Sequence, residues 1–153
     1  MGKRFAPNYA NLFMAEWEKQ ALRKCNKLPL IYLRYLDDIF GIWTHGDDEY
    51  RVFLDILNSH QNCVKLTSVT SKQSIDFLDT TIFKGKRFNS NRHIDSKVYF
   101  KPTDTHQLLY KDSFLPKHTF SGILKSQLLR FHRTCNNKSD FEEAVQILFY
   151  SLV

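Results

Sequence analysis

Two adjacent aspartates, Asp37 and Asp38, sit between the apolar runs Leu30-Ile31-Tyr32-Leu33 and Ile39-Phe40-Gly41-Ile42-Trp43. β-Branched and aromatic residues on both sides of a short polar step predict a strand–turn–strand hairpin with carboxylates at its tip. Such a pair suits a magnesium-dependent phosphoryl-transfer site. Mg²⁺ takes one or two carboxylates, keeps several waters and draws its remaining ligands from substrate phosphates. The flanking runs are almost wholly apolar, which predicts a buried hairpin, and buried carboxylates need a cation or a basic partner. The alternative is a solvated β-turn in which Asp bonds to its own backbone.

The elements that must position this pair can be read from periodicity and breakers. Pro7 suits the first turn of a helix, and Ala10, Phe13, Met14, Trp17 and Ala21 follow at helical spacing. Asn26-Lys27-Leu28-Pro29 breaks the chain ahead of the hairpin. After it, Asp47 and Asp48 suit a helix N-terminus, and Tyr50, Phe53, Leu54 and Leu57 mark that helix's inner side. Strands are expected at 63–69, 75–83 and 93–100, the last alternating through Ile94, Ser96, Val98 and Phe100. A helical stripe then runs through Phe120, Ile123, Leu124, Leu128 and Phe131, and Ser139-Asp140-Phe141-Glu142 has the pattern of a capping box for a last helix.

With 153 residues the chain has the size of one ordinary domain. No apolar run approaches the ~20 residues of a membrane span, and Met1 opens no signal peptide, so an intracellular protein without a membrane partner is expected. Cys25, Cys63 and Cys135 are odd in number and widely spaced, which implies reduced thiols and no metal site. The net charge of +6 favours a polyanionic partner. There is no Gly-rich phosphate loop, zinc spacing or Ser/His/Asp arrangement.

Several motifs fall in the order of one family. Tyr35-Leu36-Asp37-Asp38, within Arg34-Tyr35-Leu36-Asp37-Asp38-Ile39-Phe40, resembles the YxDD hairpin of reverse transcriptases. Gly2-Lys3-Arg4-Phe5-Ala6-Pro7 resembles the palm motif that opens a helix beside the nucleotide, with Lys3 where a small hydroxyl residue is common. Ile75-Asp76-Phe77-Leu78-Asp79-Thr80 is similar to a palm-edge strand of Penelope-like retroelements. Tyr99-Phe100-Lys101-Pro102-Thr103-Asp104-Thr105-His106, with Gln127-Leu128-Leu129-Arg130, looks like their passage from palm to thumb.

The resemblance covers nearly the whole chain and implies an α+β fold: a partial polymerase palm over 1–102 and a thumb-like helical segment over 103–153. The palm would be an antiparallel sheet with the catalytic hairpin, backed by helices. It implies two-metal nucleotidyl transfer with Mg²⁺ (Mn²⁺ as substitute), an RNA template, a DNA primer and deoxynucleoside triphosphates. By carry-over Asp37 is the metal ligand and Asp38 its neighbour, with Tyr35 and Leu36 along the primer–template. Gly2 and Pro7 then shape the nucleotide wall, and Lys101, Lys125, Arg130 and Arg133 grip the duplex backbone. For those four cations a solvated helix face is the alternative.

The family also needs a carboxylate on an earlier strand and basic fingers. A chain starting at Met1 is expected to lack both, to be inactive alone, and to expose an apolar sheet edge and part of its first helix, with poor solubility. Three readings follow: part of a working enzyme, a non-catalytic relic, or a palm–thumb fragment that binds nucleic acid.

Overall fold

Pro7 begins helix α1 (Ala6–Leu22), where its missing N–H leaves no helical acceptor unpaired. The computed structural model describes residues 5–103, 114 and 116–150, and the chain divides into two units between Val69 and Thr70. The fold is α+β, with five helices and two small antiparallel sheets among the described residues.

In the first unit α1 is followed by strands β1 (Ile31–Tyr35) and β2 (Asp38–Ile42), then helix α2 (Asp47–His60). The acid-rich start expected for α2 is present: Asp47, Asp48 and Glu49 occupy its first turn, and the Gly46 amide donates to Glu49 Oε2 at 2.9 Å. Trp17 and Ala21 of α1 and Phe53 and Leu57 of α2 form the buried core, with Met14, Leu22, Trp43, Val64 and Leu66 packed around it. Trp43 carries the exit of β2 onto α2 through an edge-on ring contact with Tyr50 at 5.6 Å and a tilted one with Phe53 at 5.1 Å. Only the C-terminal half of α1's apolar stripe is enclosed. Tyr9, Leu12 and Phe13 on its N-terminal half stay exposed, as expected of an incompletely covered helix.

Three expected strands turn out differently. Residues 63–69 form no strand. The Asn58 side chain meets both backbone groups of Leu66, donating to its oxygen at 3.1 Å and accepting from its amide at 2.6 Å. That amide does for Leu66 what a neighbouring strand would do, while Val64 and Leu66 still reach the core. The run 75–83 folds back on itself as β3 (Ser74–Phe77) and β4 (Thr80–Phe83), because the chain reverses at Leu78-Asp79. From 93–100 only β5 (Asp95–Val98) pairs, and its buried residues are Asp95 and Val98, not the alternating set beginning at Ile94.

In the second unit the sheet order is β3-β4-β5, and α3 (Phe88–Asn91) bridges β4 to β5. Val98 packs with Phe131 of α4 (Lys117–Thr134) and with Ala144 and Leu148 of α5 (Lys138–Tyr150). The expected stripe of α4 faces this core, with Leu124 and Leu128 against it. The last helix begins one residue before Ser139, so the expected capping box is absent. Asn137 stands at its start instead, its amide donating to Asp140 Oδ2 at 3.0 Å. Asp95, 1% exposed, forms an ion pair with Arg87, whose guanidinium also donates to Asn137 Oδ1 at 3.2 Å. Gly85 lies against that carboxylate so closely that a Cβ there would overlap Asp95.

Burial pushes the Cys25 and Cys135 thiols up, whereas Cys63 is exposed. Cys63 is therefore expected to alkylate first at pH 8 and the other two several-fold more slowly. A mass-spectrometric time course checks this, and equal rates at all three would contradict it.

Candidate metal centre

Strands β1 and β2 pair Tyr35 with Asp38, Leu33 with Phe40 and Ile31 with Ile42, leaving Leu36 and Asp37 as a two-residue turn. Leu36 has φ 55°, and Asp37 is not in the positive-φ region. Positive φ at the first central residue alone is the signature of a II′ turn, which usually employs glycine there. A leucine in that conformation costs about 1–2 kcal/mol, so the surroundings must hold it.

Period-two alternation sorts the hairpin into two faces. Tyr32 and Arg34 face α1 and are part-buried. Ile31, Leu33, Tyr35 and Asp38 lie on the other face, where Leu33 and Tyr35 are 59% and 58% exposed. The expectation of a buried hairpin is thus corrected. A two-stranded sheet with a helix on one side leaves its second face open, however apolar its sequence.

Behind the turn lies a polar cluster that sequence reading missed. Arg34 Nε donates to Glu18 Oε1 of α1 at 2.8 Å, and Arg34 Nη1 donates to Asn11 Oδ1 at 3.2 Å and to the Leu36 carbonyl at 2.8 Å. Tyr32 Oη donates to the same Glu18 oxygen at 3.1 Å. Glu18 and Arg34 are enclosed, with side chains 14% and 13% exposed. Glu16 and Glu18 fall off the apolar stripe, so the sequence offered only the spacing of Tyr32 and Arg34 as a signal.

Burial, with the Glu18 carboxylate beside it, pushes the Tyr32 phenol well above its ordinary range, Arg34 opposing in part. The sign follows from linkage. A raised phenol contributes stability that is complete below about pH 10, where an unfolded tyrosine is still protonated, and is lost as the pH rises further. Tyr32→Phe is expected to lose less stability than the wild type between pH 9 and 11.5, read by tryptophan fluorescence in urea; parallel losses would show that Tyr32 does not report the cluster.

At the tip, Asp37 and Asp38 are exposed, and neither carboxylate has a hydrogen-bond or ion-pair partner among the described residues. The second unit repeats the turn. Phe77 pairs with Thr80 across Leu78-Asp79, and Leu78 has φ 56°. There, however, Asp79 Oδ2 sits 3.2 Å from Arg130 Nε. The two turns share geometry and differ in charge: one carboxylate already has its cation, and the other pair has none.

The remaining expected site residues scatter. Tyr35 and Leu36 share the tip with the aspartates, and Pro7 lies exposed at the start of α1. Lys125, Arg130 and Arg133 lie exposed on α4 and Lys101 lies exposed beyond β5, all in the second unit. Gly2 lies outside the described residues. Two carboxylates fit a Mg²⁺ or Mn²⁺ ion that keeps waters and takes phosphate oxygens. No group of three or more His, Cys, Asp or Glu among the described residues forms a fuller metal centre. Among the described residues no helix is long and apolar enough to cross a membrane. No protein-family model, curated protein or solved structure matches the chain.

Proposed function

We propose that this chain is the palm-and-thumb portion of an RNA-directed DNA polymerase of the Penelope-like reverse transcriptase kind, with the Tyr35–Asp38 turn as its catalytic hairpin. The observation that carries this reading is the unpaired, exposed carboxylate pair on a turn held in a demanding conformation. The Leu78-Asp79 turn has the same φ with its carboxylate paired, so what distinguishes the Tyr35–Asp38 turn is its free charge and the part-buried Arg34 behind it. The ordered motifs of the sequence supply the family. In this reading residues 1–102 belong to the palm and 103–153 to the thumb.

Bound Mg²⁺ would supply charge neutralisation at the primer 3′-hydroxyl and the triphosphate. Asp37 holds the ion, Asp38 adds field beside it, and Tyr35 and Leu36 lie against the primer–template. Gly2 and Pro7 wall the nucleotide. The donor set at the tip is too small for two ions, so a further carboxylate comes from a polypeptide segment other than the described residues. Lys101, Lys125 and Arg133 are exposed cations suited to phosphates. Arg130 is partly committed to Asp79.

The test is primer extension on an RNA template, with Mg²⁺ or Mn²⁺, by the longest polypeptide encoded in frame with this chain. Template-dependent incorporation supports the reading, and its absence overturns the enzymatic form. The 153-residue chain is assayed in parallel for RNA–DNA duplex binding. Three or four phosphate contacts predict a slope near −3 in log K against log salt, at about −0.9 per contact. Binding with that slope but no extension by the longer polypeptide would favour the binding fragment, and neither would leave the relic.

A further inference from the structure

Turns of the I′ and II′ kinds differ mainly in the orientation of their central peptide, which decides whether the second central residue has positive or negative φ. In the Tyr35–Asp38 turn that peptide joins Leu36 to Asp37, and its carbonyl is the Leu36 oxygen that accepts from Arg34 Nη1 at 2.8 Å. The same guanidinium is anchored on α1 by Glu18 Oε1 at 2.8 Å and Asn11 Oδ1 at 3.2 Å. Glu18 is in turn held by Tyr32. A planar fork with several fixed donors meets acceptors on a helix and on the turn at once, which a single ammonium on a flexible stem does not reproduce.

We infer that Arg34 is a positioning residue for the Asp37–Asp38 carboxylate pair. Its hold on the Leu36 carbonyl prevents the central peptide from flipping. A flip would drive Asp37 into positive φ and swing its carboxylate away from Asp38. The cluster therefore works as a bracket between α1 and the turn, set on the hairpin face opposite Tyr35 and Asp38. That the carboxylates bind a metal rests on the function proposed above, whereas the locking of the turn does not. The Leu78-Asp79 turn has the same φ pattern, so the positive φ can exist without this arginine. The bracket's role is to fix one orientation.

The experiment uses the full 153-residue chain, ¹⁵N-labelled, as wild type and Arg34→Lys. Trp17 and Trp43 both lie in the first unit, so their emission verifies that it stays folded. Two readouts are taken: the intraresidue amide-to-Hα NOE of Asp37, strong only when its φ is positive, and Mn²⁺ broadening of the Asp37 and Asp38 amides. In the wild type the NOE is expected to be weak and the broadening selective for the tip. In Arg34→Lys the NOE should strengthen toward an average, and the Mn²⁺ midpoint should rise about tenfold or more, the usual consequence of losing an outer partner of a metal ligand. Should Arg34→Lys not fold, Glu18→Gln loosens the anchor while keeping an acceptor, and should move both readouts in the same direction. An unchanged NOE and midpoint in a folded variant overturn the inference. Absence of tip broadening in the wild type overturns the metal reading instead; the Asp37 NOE then decides the positioning claim, a strengthened signal upholding it and an unchanged one ending it.

Discussion

In the polymerase proposed above to contain this chain, Asp37→Asn is expected to reduce primer extension by about a thousandfold or more, with the fold intact. The substitution is isosteric and removes one negative charge from a site whose described residues offer only two carboxylates. Stabilisation of developing charge by a held cation amounts to several kcal/mol, and each 1.36 kcal/mol is a factor of about ten in rate. Neither carboxylate has a structural partner among the described residues, so the loss should fall on turnover and metal dependence and leave stability unchanged. The matched control is Asp79→Asn in the second Leu-Asp turn. It breaks only the exposed pair with Arg130, 56% and 42% exposed, a contact of about 0–1 kcal/mol. Single-nucleotide incorporation by the two variants is the measurement. Substantial activity in Asp37→Asn, or an equal loss in Asp79→Asn, would remove the hairpin from the chemistry.

The second large effect lies in the other unit. Arg87→Met should destabilise it by about 3–5 kcal/mol, because it strands a carboxylate with its partner removed. Asp95 is 1% exposed, and the His93 imidazole lies 3.7 Å from the same oxygen. The variant also loses the Arg87–Asn137 bond that ties β5's neighbourhood to the start of α5. A domain's whole stability is about 5–15 kcal/mol, so the second unit would lose a substantial share of its stability. Tryptophan fluorescence would miss this, since both tryptophans belong to the first unit. Hydrogen exchange at Val98 and Leu148 is the suitable readout. Unaltered protection there would show that Asp95 is satisfied without Arg87.

Much of this arrangement was readable beforehand, and the failures have physical causes. The four longer helices announced themselves because residues such as Trp17, Ala21, Phe53, Leu57 and Phe131 repeat at helical spacing, and those five are buried, whereas the one-turn α3 carries no such repeat. The hairpin and its aspartates were equally plain. Its exposure was not, since an apolar run says that a strand can be buried but not whether a second layer covers it. The turn at Leu78-Asp79 was missed because leucine is a poor turn former. The clue was the parallel between Phe77-Leu78-Asp79-Thr80 and Tyr35-Leu36-Asp37-Asp38, two aromatic-Leu-Asp steps with matching φ. Residues 63–69 looked like a strand because β propensity measures fit to a half-buried surface. Val64 and Leu66 meet that requirement, with the Asn58 side chain bonding Leu66 where a neighbouring strand would. Arg34 and Glu18 escaped notice because partnership between residues 16 apart depends on tertiary geometry that no local pattern encodes.

Gly85 turns this fold into a record of selection. Every single-nucleotide change at a glycine codon that alters the residue adds at least a Cβ or ends translation, and the space for that atom is occupied by the Asp95 carboxylate. Among sequences related to this one, lineages still maintained for a folded product should keep glycine at this codon while Asp95 persists. Lineages drifting as genomic debris should lose it at the neutral rate. The ratio of replacement to silent change at codons 85 and 95 would thus date the loss of constraint, and would separate a working gene from a fossil without purifying any protein.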